Sequence, residues 1–223
     1  MATPTDGPTA TSVPIIVEKA TATDIPDLIT VWWDSFSTEF IQRIYPQTPD
    51  GRRWLERTFA RYFRPAPEPD EPTTECLMVR SPDTGLPAAI AVYHIVPAGC
   101  DPARRSWRVR KPAFDDLPDI REDVLARFFD PMEKAHTYLL GDWGHVYLEV
   151  LGTVEAHQKR GFGTALIKWG NDLADGLGVE CYLEASPAGK PLYEANGYVE
   201  QDVSAVVEIP PGTSMVRPSK RQT

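Results

Sequence analysis

The chain has 223 residues, 42% hydrophobic and 25% charged, with 32 acidic against 23 basic side chains and a formal net charge of -9. That balance argues against a dedicated DNA or RNA binder, whose phosphate contacts need a basic field, and the length allows a sizeable core without covalent staples. Cys76, Cys100 and Cys181 are far apart and odd in number. Neither a disulfide framework nor a cysteine-based zinc site is expected, and a reducing, cytoplasmic setting fits. No stretch approaches the roughly 18 apolar residues of a membrane span.

Residues Met1 to Val13 are rich in Thr, Pro and Ala and lack an apolar signal core, so they read as a disordered leader. Ile15 to Val17 reads as a short strand. A helix follows, with Asp24 as N-cap, Pro26 in its first turn and Leu28, Val31, Trp32 and Phe36 as its apolar stripe. The cluster Trp32, Trp33, Phe36 and Phe40 faces either the core or a ligand cleft. After Pro46 and Pro49, Asp50 reads as the cap of a helix from Gly51 to Phe63. Arg64 to Thr73 is a proline-rich loop. Strands Glu75 to Arg80 and Ala88 to Val96, joined by the turn Pro82-Asp83-Thr84-Gly85, predict an antiparallel hairpin.

Ala98 to Asp119 is irregular, basic and then acidic, and reads as a solvated loop or as a flap over a site. Ile120 to Leu140 is one helix, or two broken near Pro131. From Gly144 the elements alternate: strand His145 to Leu151, helix Gly161 to Gly176, strand Val179 to Glu184, a short helix Pro187 to Asn196 capped by Ser186, and a last strand Tyr198 to Ile209. Residues 210–223 read as a polar tail, leaving 14–209 as the single domain. Strand-helix-strand requires a parallel pair with a crossover helix. With the hairpin, this predicts a single α/β domain on a twisted mixed sheet of about six or seven strands, with helices on both faces.

The chemistry concentrates after the strand at His145. Its end leads through Gln158, Lys159 and Arg160 to Gly161-Phe162-Gly163, which opens a helix. Unpaired amides and partial positive charge at a helix N-terminus suit a phosphate, and the glycines admit close backbone approach. The stretch is neither a Walker loop nor a dinucleotide GxGxxG, since Leu166 stands at the third glycine position.

Gln158-Lys-Arg-Gly-Phe-Gly163 resembles the Q/R-x-x-G-x-G/A signature of the GCN5-related N-acetyltransferases, and Leu192-Tyr-Glu-Ala-Asn-Gly-Tyr198 resembles that family's LYEKxGF helix ending. The order of elements is similar over about Ile15 to Asp202. The resemblance implies the family's fold, with acetyl-coenzyme A as cosubstrate and no metal. It implies cofactor contacts from Leu151 and Thr153 at the strand end, from Gln158, Lys159, Arg160, Gly161, Phe162, Gly163 and Thr164, and from Ser186. The sequence departs at Glu155, where many members have proline, at Thr153, where valine is common, and at Ser186, where many have asparagine.

The implied reaction is acetyl transfer to an amine, in this chain that of a small molecule, by direct attack. It needs a proton acceptor for the amine and a donor for the leaving thiolate. The resemblance places Tyr193 as the general acid and Glu149 as the base. A carboxylate on a central strand needs water, a cleft or a partner, so a Glu149 paired with an arginine is the alternative. Strand alternation puts Val146, Leu148 and Val150 on one face and His145, Tyr147, Glu149 and Leu151 on the other. Trp32, Trp33, Phe36 and His94 are the candidate substrate contacts, although His94 shares a row with Ile90 and Val92 and also reads as a satisfied core histidine. A non-catalytic acyl-coenzyme A sensor and a diverged reaction are the competing functions. No nucleic acid or membrane partner is expected, and a homodimer stays open.

Overall fold

The computed structural model describes residues 14–65 and 68–220; the leader read at residues 1–13 lies outside them. The strands are β1 (Glu18–Lys19), β2 (Thr73–Arg80), β3 (Pro87–Val96), β4 (His145–Thr153), β5 (Glu180–Ala185), β6 (Val199–Glu200) and β7 (Thr213–Arg217). They form one seven-stranded sheet in the order β1-β2-β3-β4-β5-β7-β6. Only β4 and β5 run parallel, as the crossover helix between them requires; the other neighbours are antiparallel. The mixed sheet and the β2–β3 hairpin are as the sequence predicts.

Helices cover both faces. On one lie α1 (Ile25–Ser35), α3 (Pro49–Tyr62) and α5 (Glu122–Leu140), whose buried Leu28, Trp32, Trp54, Phe59, Leu125 and Phe129 meet Cys76, Met78, Ile90 and Val92 of the sheet. On the other lies α6 (Phe162–Leu177), whose Phe162, Leu166, Ile167 and Ala174 meet Ala91, Tyr93, Val146, Leu148 and Cys181. The remaining helices are α2 (Glu39–Ile44), α4 (Trp107–Arg110) and α7 (Lys190–Glu194). Pro26 sits in the first turn of α1 as expected, but the Asp24 side chain does not cap the helix: its carboxylate turns back to accept from the Thr21 amide at 2.8 Å, closing the capping box of the 3-10 turn Ala22–Asp24.

Several boundaries differ from the sequence pattern. The first strand lies at Glu18–Lys19 rather than at Ile15 to Val17, because Ile15 and Val17 pack against the α6 side of the core instead of pairing. Thr48, not Asp50, caps α3: its Oγ1 accepts from the Gly51 amide at 3.2 Å, and Pro49 takes the first helical position. The α2 helix, capped by Thr38, was hidden by the neighbouring prolines. Residues 187–189 form a turn ahead of α7, although the Ser186 hydroxyl does accept from the Gly189 amide at 3.1 Å. The α5 helix is continuous through Pro131.

Two corrections change the architecture. The expected long last strand is the short β6, and residues 213–217 of the expected tail form β7 between β5 and β6. Also, Ala98 to Asp119 is a packed cover rather than a solvated loop. Trp107 stacks on Phe129 at 5.4 Å, Trp54 Nε1 donates to the Pro112 carbonyl at 3.2 Å, and Arg57 grips Asp116 through two bonds of 2.7 Å.

Because Met215 of β7 is 0% exposed in the α6-side core, Met215→Ala is expected to lower unfolding free energy by about 2–5 kcal/mol. Urea denaturation measures this; a change within about 0.5 kcal/mol, as at an exposed site, would mean that the segment does not pack.

Candidate active site

The loop after β4 makes a short 3-10 turn at Glu155–His157 and then enters α6. Lys159 adopts a left-handed φ of 59° and Gly161 a φ of 88°. Gly161 is the N-cap of α6, no side chain caps the helix, and the amides of Gly161, Phe162, Gly163 and Thr164 find no acceptor among the described residues. The result is a concave run of free donors at the positive end of a helix 16 residues long. Phe162 is buried and anchors the turn, while Gln158, Lys159, Arg160 and Gly161 are exposed. Arg160 is already engaged, with Nη2 2.6 Å from Asp83 of the β2–β3 turn, whereas Lys159 makes no ion pair among the described residues. Gln158 Nε2 donates to the Thr153 carbonyl at 3.3 Å and holds the loop against the strand.

The same loop stands over a gap in the sheet. β4 and β5 pair from His145↔Glu180 to Leu148↔Leu183 and then part. Beyond that point β4 keeps its β3 partners, with Val92↔Val150 through Ala89↔Thr153, but has no strand on its other side among the described residues. Glu149 to Thr153 therefore offers a free backbone edge about 16 Å long, at roughly 3.3 Å per residue. Leu151 and Thr153, both half-buried, lie on it.

At the parting, the register slips by one residue: Tyr93 faces Leu148 while Val92 faces Val150, so Glu149 is an extra, bulged residue. The bulge corrects the simple alternation. Leu148 points to the α6 side, but Val150 joins Glu149 on the α1 and α3 side.

The Glu149 side chain is 5% exposed and enclosed by partners. Arg110 Nη1 lies 2.7 Å and the donating Tyr62 hydroxyl 2.9 Å from Oε2, with His94 Nε2 at 2.5 Å from the same oxygen. Lys111 Nζ lies 2.7 Å from Oε1 as an ion pair, outside hydrogen-bonding alignment for that oxygen, and donates to the Tyr62 hydroxyl at 2.6 Å. Burial raises the proton affinity of Glu149, but the charges of Arg110 and Lys111 and the His94 contact outweigh it and hold the carboxyl well below the usual range. This arrangement favours the paired-carboxylate alternative for Glu149.

The other expected residues separate. Tyr193 sits in α7 with its ring 5.8 Å from that of Tyr198; burial raises its pKa, so the phenol stays protonated, and its hydroxyl has no partner among the described residues. Ser186, exposed, lies just beyond the end of β5. Of the substrate candidates, Trp32 is core, between Phe36 and Tyr45, and His94 belongs to the Glu149 cluster, held on its other side by Thr74 at 3.0 Å. Phe36 is placed against the free half of β4, where a side chain on Gly152 would meet it. Trp33 is half-buried beneath Arg52. Composition concealed Arg110 and Lys111, whose basic run reads as solvated. Glu184 on β5 was overlooked, although a carboxylate on a central strand is the same signal that singles out Glu149. Among the described residues no group of His, Cys, Asp and Glu side chains has the geometry to hold a metal, and no helix is long and apolar enough to cross a membrane.

If the loop holds the coenzyme A that the motif resemblance implies, Gly161→Val is expected to weaken its binding at least about tenfold by isothermal calorimetry. The left-handed φ strains any branched residue, and its Cβ would stand 3.2 Å from Ile15. Unchanged affinity would remove the loop from the binding site.

No protein-family model matches the chain, and no curated protein matches it in sequence. Solved structures do match in fold. A Corynebacterium glutamicum protein named histone acetyltransferase HPA2 and related acetyltransferase is 20% identical, with 95% of this chain and 99% of that one covered and a TM-score of 0.57. Arylalkylamine N-acetyltransferase 2 from Aedes aegypti is 14% identical over 92% and 98%, with a TM-score of 0.60. An agmatine N-acetyltransferase is 15% identical over 91% and 96%, with a TM-score of 0.53. The likeness is one of fold: the chain shares the mixed-sheet fold of these acetyltransferase structures.

Proposed function

We propose that this chain is an N-acetyltransferase that moves the acetyl group of acetyl-coenzyme A to the amine of a small molecule by direct attack. The observation that carries the proposal is the coincidence of two features: the free amides from Gly161 to Thr164 and the free edge of β4 leading away from them. A ligand with a pyrophosphate at one end and an extended, amide-bearing arm at the other satisfies both. The amides take the phosphates, the strand edge takes the arm's amide groups as it would a strand, and the thioester comes to rest toward the parting of β4 and β5. The fold supports the same reaction class, since the similar structures bear acetyltransferase names, two of them for small amines.

In that arrangement the residues have separable tasks. Lys159 adds positive charge beside the phosphates, and Thr153 and Leu151 line the arm. The Tyr193 phenol, kept protonated by burial and without a partner among the described residues, gives its proton to the leaving sulfur. The packed cover from Ala98 to Asp119 closes over the Glu149 end of the sheet, which favours a small acceptor over a protein chain end.

The test is an acetylation assay on a panel of amines with detection of released thiol, repeated with Tyr193→Phe. The variant keeps the ring and loses the donor, so turnover is expected to fall about 10- to 1000-fold with coenzyme A affinity little changed. Wild-type turnover in the variant at all pH values would remove Tyr193 from the mechanism, and no thiol release with any amine would refute the activity.

A further inference from the structure

We propose that Glu184, and not Glu149, takes the proton from the attacking amine. The inference rests on the acetyltransfer reading above and names a residue that the sequence pattern passed over.

The two carboxylates occupy equivalent places. Leu148 and Leu183 are the last paired residues of β4 and β5, and Glu149 and Glu184 are the next on each strand, at the point where the strands part. Their surroundings are opposite. Glu149 is sealed by two cations, a histidine and a phenol, and accepting a proton there would leave Arg110 and Lys111 buried against a neutral acid. Glu184 has no ion-pair partner among the described residues. Its Oε1 accepts from the Tyr182 hydroxyl at 2.8 Å, and that hydroxyl also reaches Ser214 of β7 at 3.4 Å.

The Glu184 carboxylate is half-buried and lines a small internal cavity with Tyr147, Arg110, Arg105, His136 and Glu133. The cavity measures about 10 Å³, room for about one water molecule. A single water of this kind can relay a proton to a carboxylate. Burial pushes the Glu184 carboxyl up to about 7, against the opposing hydroxyls of Tyr182 and Tyr147 and the charge of Arg110, and the negative charge of Glu149 adds to the rise. His136 stands neutral on the other wall, its pKa lowered by burial and by His145. Two carboxylates whose environments drive their proton affinities apart mark which one can exchange a proton at neutral pH.

In the step itself the amine nitrogen bonds to the acetyl carbon, and the proton it sheds passes to the Glu184 carboxylate. The carbon–sulfur bond breaks with its electron pair on sulfur, which takes the Tyr193 proton. Exchange with solvent restores both residues.

The experiment compares pH profiles of kcat/KM for wild type, Glu184→Gln and Glu149→Gln, using an acceptor amine whose own pKa lies outside the range 6 to 8. In the wild type, activity is expected to rise with an apparent pKa near 7. Glu184→Gln is expected to lose that limb and about 10²- to 10⁴-fold in rate, with coenzyme A affinity unchanged by calorimetry. Glu149→Gln is expected to keep a limb, displaced to lower pH because a negative neighbour is gone and Arg110 and Lys111 are freed. Should Glu184→Gln fail to fold, Glu184→Asp serves: it keeps the limb at reduced rate if Glu184 is the acceptor. A limb that survives in Glu184→Gln at wild-type rate, or one that vanishes only in Glu149→Gln, overturns the proposal while leaving acetyl transfer intact. A wild type that binds coenzyme A and acetylates no amine overturns the activity, and this assignment with it.

Discussion

The buried charge cluster around Glu149 is the interaction on which the rest of the structure depends. A carboxylate placed inside a protein without partners is expelled or neutralised, so the chain must bring compensation from distant sequence. Arg110 and Lys111 come from the segment between β3 and β4, Tyr62 from α3, and His94 from β3. One side chain thereby fastens three separate parts of the fold over a single point of the sheet. Breaking such a cluster by removing one partner is more damaging than its net contribution suggests, because the remaining charges stay buried.

The bulge that admits Glu149 also explains why the sheet opens where it does. An extra residue bends and twists a strand, and from that residue onward β4 has β3 but not β5 beside it. The free edge, the turn of unpaired amides at its end and the start of α6 then follow one another along fewer than two dozen residues. The cleft is thus assembled from local chain, while the polar network behind it is assembled from remote chain.

That division sets what could be read from the sequence. The β2–β3 hairpin, β4, α6 and the glycine loop are legible because their signals are local: alternation, a Pro-Asp-Thr-Gly turn, a helical stripe, and glycines at a strand-to-helix junction. The cover from Ala98 to Asp119 is not, since Arg105, Arg110 and Lys111 resemble a solvated run until their long-range partners are known. Residues 213–217 carry a single large buried hydrophobe, Met215, behind Pro210-Pro211-Gly212, and so resemble a tail. The bulge leaves no composition trace, and it moved Val150 to the opposite face from Leu148. Motif spacing singles out Tyr193 and the glycine loop, but the contrast between Glu149 and Glu184 is a matter of neighbours, which no motif encodes.

The outer margins of the sheet carry a different consequence. The edge strands β1 and β6 are two residues each, and β1 has Lys19 tied to Glu75 at 2.7 Å. Such short, charged borders give a neighbouring molecule little template for strand addition, the usual route from a sheet to an aggregate. The long unpaired run instead lies inside, along β4, between two helical layers. Among the described residues, a chain built this way shields that hydrogen-bonding register of β4 from pairing with other polypeptides.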